Sequence, residues 1–132
     1  MRVTGFFVLI GAIALVLSAC SGSSGPGVSS GDDLANGRAK FIEAGCGGCH
    51  TLAAGGSQAV GTTGPNLDDA FRGSREQGFE ESTFEQIVRE QIAFPGLGSV
   101  MQPDLVEGED ADDVANFVAH CAANTEAEEC PE

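Results

Sequence analysis

Residues 46–50 of this 132-residue chain read Cys-Gly-Gly-Cys-His. Two thiols with two residues between them, and an imidazole directly after the second, match the chemistry of haem attachment. The thiols add across the two vinyl groups of the macrocycle, and the adjacent imidazole reaches the iron from the same side. Cys46 and Cys49 are thus the candidate covalent attachment points, and His50 is a candidate axial ligand. Two other uses of such a run fit less well. A zinc site needs two more ligands, but no second Cys pair or His pair stands at suitable spacing. A thioredoxin-like redox pair needs a strand before it, whereas the preceding segment has helical periodicity.

That segment is the first of three helices that the patterning predicts. It spans Asp32 to Ala44, with Leu34, Gly37, Phe41 and Ile42 near one face, two Asp at its positive end and Gly45 as its stop. The second runs from Ser82 to Phe94. Ser82 and Glu85 have capping-box spacing, Phe84, Ile87, Val88 and Ile92 form the stripe, and Pro95 ends it. The third runs from Gly108 to Ala123, with Ala111, Val114, Phe117, Val118 and Cys121 on one stripe and four acids loading its first turn. A Gly-rich loop, 51–64, precedes Pro65-Asn66-Leu67, and a second loop, 95–103, joins the last two helices. Neither loop alternates as a strand would. The expectation is an all-α domain with long loops, and loops of this length are usually functional.

The chain ahead of this domain has a different character. Arg2 is followed by an apolar run from Phe6 to Leu17 and then by Leu17-Ser18-Ala19-Cys20. So short a run, ending in small residues, marks a cleaved export signal rather than a membrane span. The four-residue ending resembles a bacterial lipobox, which implies cleavage after residue 19 and a lipid on Cys20; an ordinary signal peptide with an incidental thiol is the alternative. The next ten residues, SGSSGPGVSS, form a Gly/Ser-rich tether with a reach of at most about 35 Å. The expected organisation is therefore a signal over 1–19, a lipid-anchored linker over 20–30 and one domain over 31–132.

Charge narrows the partners. All twenty Asp and Glu lie after residue 31, against five of the six Lys and Arg, so the domain carries a net charge near −15. No Lys or Arg follows Arg89. This sign excludes nucleic acid as a natural partner. It suits a redox protein with a basic docking surface, steered in with strong salt dependence. A solvated acidic surface for solubility in salt accounts for it equally well. Eight Phe, two of them in the signal, and no Trp or Tyr make a modest core that an enclosed cofactor would complete.

Taken together, these features resemble class I cytochromes c over nearly all of residues 31–132. The resemblance rests on the haem motif, on the preceding helix with Gly37 and Phe41, on Gly64-Pro65-Asn66-Leu67 and on a late Met in a loop before the final helix. It implies the small class I fold around one covalently bound haem c, with Gly37 crossing the last helix near Phe117. It also implies that the Pro65 carbonyl accepts a hydrogen bond from the His50 imidazole, orienting the ring and strengthening it as a donor. Met101, the only Met left after signal removal, is the candidate second iron ligand, and Met/His ligation raises the potential. The family commonly has Pro directly after this Met; here Gln102 intervenes before Pro103.

His120 is the only rival ligand, but it falls off the apolar stripe and is expected at the surface or the domain rim. Cys121 and Cys130 are left over in an oxidising compartment, which favours a disulfide, although Cys121 on the stripe also suits a buried free thiol. Arg72 and Arg75 are expected at the surface, with approach to a haem propionate as the alternative.

An iron with both axial positions filled by protein leaves no room for a small-molecule substrate. The expected function is a membrane-tethered one-electron carrier between redox proteins, not an enzyme. Two alternatives stand beside it: a haem enzyme or gas-binding protein with an open or labile distal position, and a permanent electron-relay subunit of a larger complex. The haem motif near the start of the domain argues against four-helix-bundle gas-binding cytochromes, which carry theirs near the end.

Overall fold

The computed structural model describes residues 30–124 and 129–131. The expected signal, Cys20 and the tether up to residue 29 lie outside the described residues. The described residues form four α-helices and no strand, as expected for an all-α domain: α1 (Gly31–Glu43), α2 (Leu67–Glu76), α3 (Glu81–Ala93) and α4 (Gly108–Cys121). Two short 3-10 turns, Cys46–Gly48 and Ala53–Gln58, lie between α1 and α2.

Helix α1 starts from a full capping box. The Ser30 hydroxyl accepts from the Asp33 N–H while the Asp33 carboxylate accepts from the Ser30 N–H, both at 3.2 Å. Ser30, the expected last residue of the tether, thus caps the first helix of the domain. At the other end Gly45 takes the left-handed conformation (φ 74°) and turns the chain out of the helix.

Helices α1 and α4 cross closely at Gly37. A Cβ on Gly37 would collide with the Asp113 carbonyl and lie 2.8 Å from the Phe117 Cβ, so only glycine permits this approach. Beside the crossing, Phe41 and Phe117 meet edge to face with ring centres 5.9 Å apart. A polar strip borders the contact. Asn36 donates to Asp110 (3.0 Å) and Asp113 (2.7 Å), and Lys40 pairs with Asp110 (3.2 Å). The α4 stripe is buried throughout, from Ala111 to Cys121.

Helix α3 begins earlier than its sequence pattern indicated. Its N-cap is Glu80, without a side-chain cap, and the Glu80 carbonyl takes the first N–H bonds, from Thr83 and Phe84. Ser82 therefore sits inside the first turn, and the expected Ser82–Glu85 capping box does not form. Gly78 (φ 86°) supplies the tight bend from α2, and Arg75 holds the connection through the Phe79 carbonyl (2.6 Å) and the Glu80 carboxylate (3.2 Å). Arg89 ties α3 to α4 through Asp112 at 2.6 Å.

Helix α2 was not expected. Its apolar residues are few, but Leu67, Ala70 and Phe71 stand at i, i+3 and i+4, and its caps are also legible in retrospect: the Asn66 side chain accepts from the Asp69 N–H (3.2 Å), and Asp68 and Asp69 occupy the first turn. Phe71 joins it to α3 by edge-to-face contact with Phe84, ring centres 5.3 Å apart.

Candidate functional site

The helix stop at Gly45 leads directly into the 3-10 turn Cys46–Gly48. Within it the Cys46 carbonyl accepts from both Cys49 N–H (3.1 Å) and His50 N–H (3.0 Å). This curl brings both thiols and the imidazole to one wall of the same cavity. Burial pushes the Cys46 thiol above its ordinary pKa, while Cys49 is exposed.

The chain after His50 folds back as a collar. Gly61 N–H donates to the Gly47 carbonyl (3.0 Å), Gly64 N–H to the Cys49 carbonyl (2.8 Å), and Leu67 N–H to the Thr51 carbonyl (2.9 Å). The Thr51 hydroxyl adds a bond to the Gly61 carbonyl at 2.8 Å. The layers lie so close that a Cβ on Gly47 would collide with the Gln58 carbonyl, and one on Gly61 with Gly48. Within this collar His50 Nδ1 is 2.8 Å from the Pro65 carbonyl oxygen. A carbonyl only accepts, so Nδ1 carries the proton and the Nε2 lone pair is free for a metal.

The cavity has a volume of about 900 Å³, at the upper end of the range for organic-ligand sites. Helix α3 contributes Phe84, Ile87, Val88 and Ile92, helix α4 contributes Val114 and Val118, and the loop 96–102 contributes Met101. Among the described residues no Asp, Glu, Lys or Arg lines it. An apolar slot with two thiols and an imidazole with a free Nε2 on one wall, and a thioether in another part of the lining, fits a haem in its donor chemistry.

Met101 is half-buried against the core, and its N–H donates to the Ser99 hydroxyl at 3.1 Å. The Gln102-Pro103 departure is accommodated just downstream. Asp104 turns with φ 54°, and its N–H donates to the Ile92 carbonyl (2.9 Å), pinning the loop to the end of α3.

The remaining candidates lie elsewhere. His120 does not line the cavity; its Nδ1 is 3.0 Å from a Glu81 carboxylate oxygen and its Nε2 3.3 Å from one of Glu129, with the side chain 21 % exposed. Cys121 and Cys130 are joined in a disulfide with Cα atoms 5.8 Å apart, which holds Glu129 against the end of α4. Arg72 pairs with Asp69 and Arg75 with Glu80; neither lines the cavity.

One supporting residue escaped the sequence reading. The Asp68 carboxylate is 6 % exposed and accepts from Ala53 N–H and Ala123 N–H, each at 2.8 Å. It ties the collar and the start of α2 to the end of α4. Its partners lie 15 and 55 residues away, and the helix that carries it was itself not expected, so nothing local marked it.

Comparison with known proteins agrees with this geometry. The family model described as cytochrome c matches residues 34–122. The crystal structure of the c-type cytochrome SorU from Sinorhizobium meliloti is similar, with 31% sequence identity and a TM-score of 0.54, covering 70% of this chain and 94% of that one. No curated protein matches the chain. With the family model spanning most of the domain, the chain belongs to the cytochrome c family and is a small all-α haem protein of electron transfer with one covalently attached c-type haem.

Proposed function

We propose that this chain is a membrane-tethered carrier of single electrons between redox proteins, with the haem bonded to Cys46 and Cys49 and the iron held by His50 and Met101. The observation that carries this reading is the convergence of those four side chains on one apolar cavity, with His50 Nδ1 already committed to the Pro65 carbonyl. The haem supplies the one-electron iron couple. The chain's residues would do the rest: Pro65 would orient the imidazole, Met101 would offer the iron a soft thioether that favours its ferrous state, and the apolar lining would exclude water. With both positions filled, no site remains for a substrate, so the protein is a carrier rather than an enzyme.

The mouth of the cavity suggests how partners meet it. Leu97 and Val100 are exposed on the loop that lines the cavity, and Phe94 is exposed at the end of α3. Contact through this apolar rim, with a basic surface on the partner facing the acidic domain, would bring a second redox centre close to the haem edge. Bacterial cytochrome c domains are extracytoplasmic, and no helix among the described residues is long and apolar enough to cross a membrane. Cys20 and its lipid, proposed from the lipobox-like ending, would hold the domain at the outer face of a membrane.

The decisive experiment is the absorption spectrum of oxidised and reduced holoprotein beside that of Met101→Ala. The expected result is a six-coordinate low-spin spectrum with the weak methionine–iron charge-transfer band, and loss of that band with a lower potential in the variant. A five-coordinate resting spectrum, or a variant with an unchanged band, refutes the carrier reading with Met101 as ligand.

A further inference from the structure

We propose that Gly64 is a positioning residue for the His50 imidazole: its bare Cα is the surface against which the ring lies, and this contact sets the ring plane and its hydrogen bond to Pro65. The inference rests on the reading of His50 as an iron ligand and goes beyond it. A Cβ built on Gly64 would stand 2.5 Å from His50 Cε1, 2.7 Å from Nδ1 and 2.9 Å from Nε2, where ordinary contacts begin near 3.4 Å. Among the described glycines, it alone would drive a side chain into this ring; Gly47 and Gly61 meet backbone.

The glycine is not there for its backbone freedom. Gly64 is absent from the residues with positive φ, so an L side chain suits its conformation and only space forbids one. Nor can the chain step aside easily. The Gly64 N–H is held by the Cys49 carbonyl at 2.8 Å, and the next carbonyl, that of Pro65, accepts from the ring itself at 2.8 Å. Residue 64 is therefore clamped to the ligand's neighbour on one side and to the ligand on the other. A methyl group here must push the imidazole, bending the Nδ1–H bond away from Pro65 and turning the direction in which Nε2 points.

Weakening that hydrogen bond makes the imidazole a poorer donor, which stabilises ferrous iron relative to ferric. Gly64→Ala should raise the midpoint potential and change the pattern of haem methyl proton shifts in the oxidised protein, which follows the ligand plane. Gly73→Ala, half-buried in α2 but with nothing within 4 Å of an added Cβ, is the control and should match the parent in both. If Gly64→Ala loses stability but keeps the parent potential and methyl shifts, the glycine is a packing residue only and the proposal falls. Should the variant fail to mature, the reduced parent protein decides: an NOE between the Gly64 α-protons and His50 Hε1 supports the contact, and its absence overturns it. Failure of the underlying ligand reading shows differently, as a parent spectrum without low-spin histidine coordination.

Discussion

At the scale of single residues, two carboxylates shape the response to acid in opposite directions. Glu85 has its pKa raised, first by burial and then by Glu81 and Asp112 nearby. At neutral pH its charge is a burden on the fold. As pH falls through its raised folded pKa the group takes up a proton and the burden fades, and it is gone below the ordinary Glu value. Asp110 is lowered by hydrogen bonds from Asn36 and Lys40. Its contribution is present above the ordinary Asp value and is lost as pH falls through the lowered folded pKa. Stability should therefore rise and then fall on acidification from neutral. Glu85→Gln should unfold at higher urea concentration than the parent at pH 7 and converge with it at acid pH. A midpoint at pH 7 that does not increase would show that Glu85 costs the fold nothing.

Elements show how the ligand loop is held in place. Helix α2 packs on α3 through Phe71 and Phe84, but its larger role is to carry Asp68, which bonds the collar at Ala53 and the chain beyond α4 at Ala123. Both alanines are at exposed positions, so water partly compensates for a lost partner. Asp68→Ala should cost about 3 kcal/mol, the low end for two hydrogen bonds to a charged acceptor. Asp68→Asn, which keeps one acceptor, should cost less. Urea unfolding of the holoprotein monitored in the Soret region measures both, and equal stability of all three would remove Asp68 from the support of the site. The disulfide acts at the same end of α4 and closes a sequence separation of nine residues. Loops that short gain only a few kcal/mol from a cross-link.

For the whole molecule the dominant quantity is the net charge of the domain, near −15 from twenty acids and five bases. Self-repulsion of that size opposes compactness and is relieved by salt. If the acidic surface serves docking, the second-order rate of electron exchange with a basic redox protein should fall by one to two orders of magnitude, on the order of 10–100-fold, between low and physiological ionic strength. Exchange with a small neutral reagent should change little. A flat salt dependence with the basic partner would leave solubility in salt as the purpose of the charge. The exposed Leu97 and Val100 at the cavity offer the salt-independent part of such an encounter.

The sequence by itself determined what is local. Chemistry written as five consecutive residues, Cys46 to His50, needs no long-range partner to be read, and the cofactor it implied is the one the family carries. The helices α1, α3 and α4 were legible because each places several large apolar residues at helical spacing, and Gly37 beside Phe41 marked a close crossing. The tertiary structure decided what depends on residues far apart. Helix α2, with only three apolar residues on its inner face, is held by the Phe71–Phe84 contact and by the bonds of Asp68. The start of α3 moved to Glu80 because the bend at Gly78 and the Arg75 contacts compete with a Ser82 cap. His120, read as a rim residue, lies between Glu81 and Glu129 because the Cys121–Cys130 disulfide places Glu129 beside the end of α4. And Gly64, one glycine among nineteen in the sequence, became distinct only when the fold laid its Cα against the His50 ring. Spacing along the chain encodes local geometry; which surfaces then touch is settled by the packing of the whole.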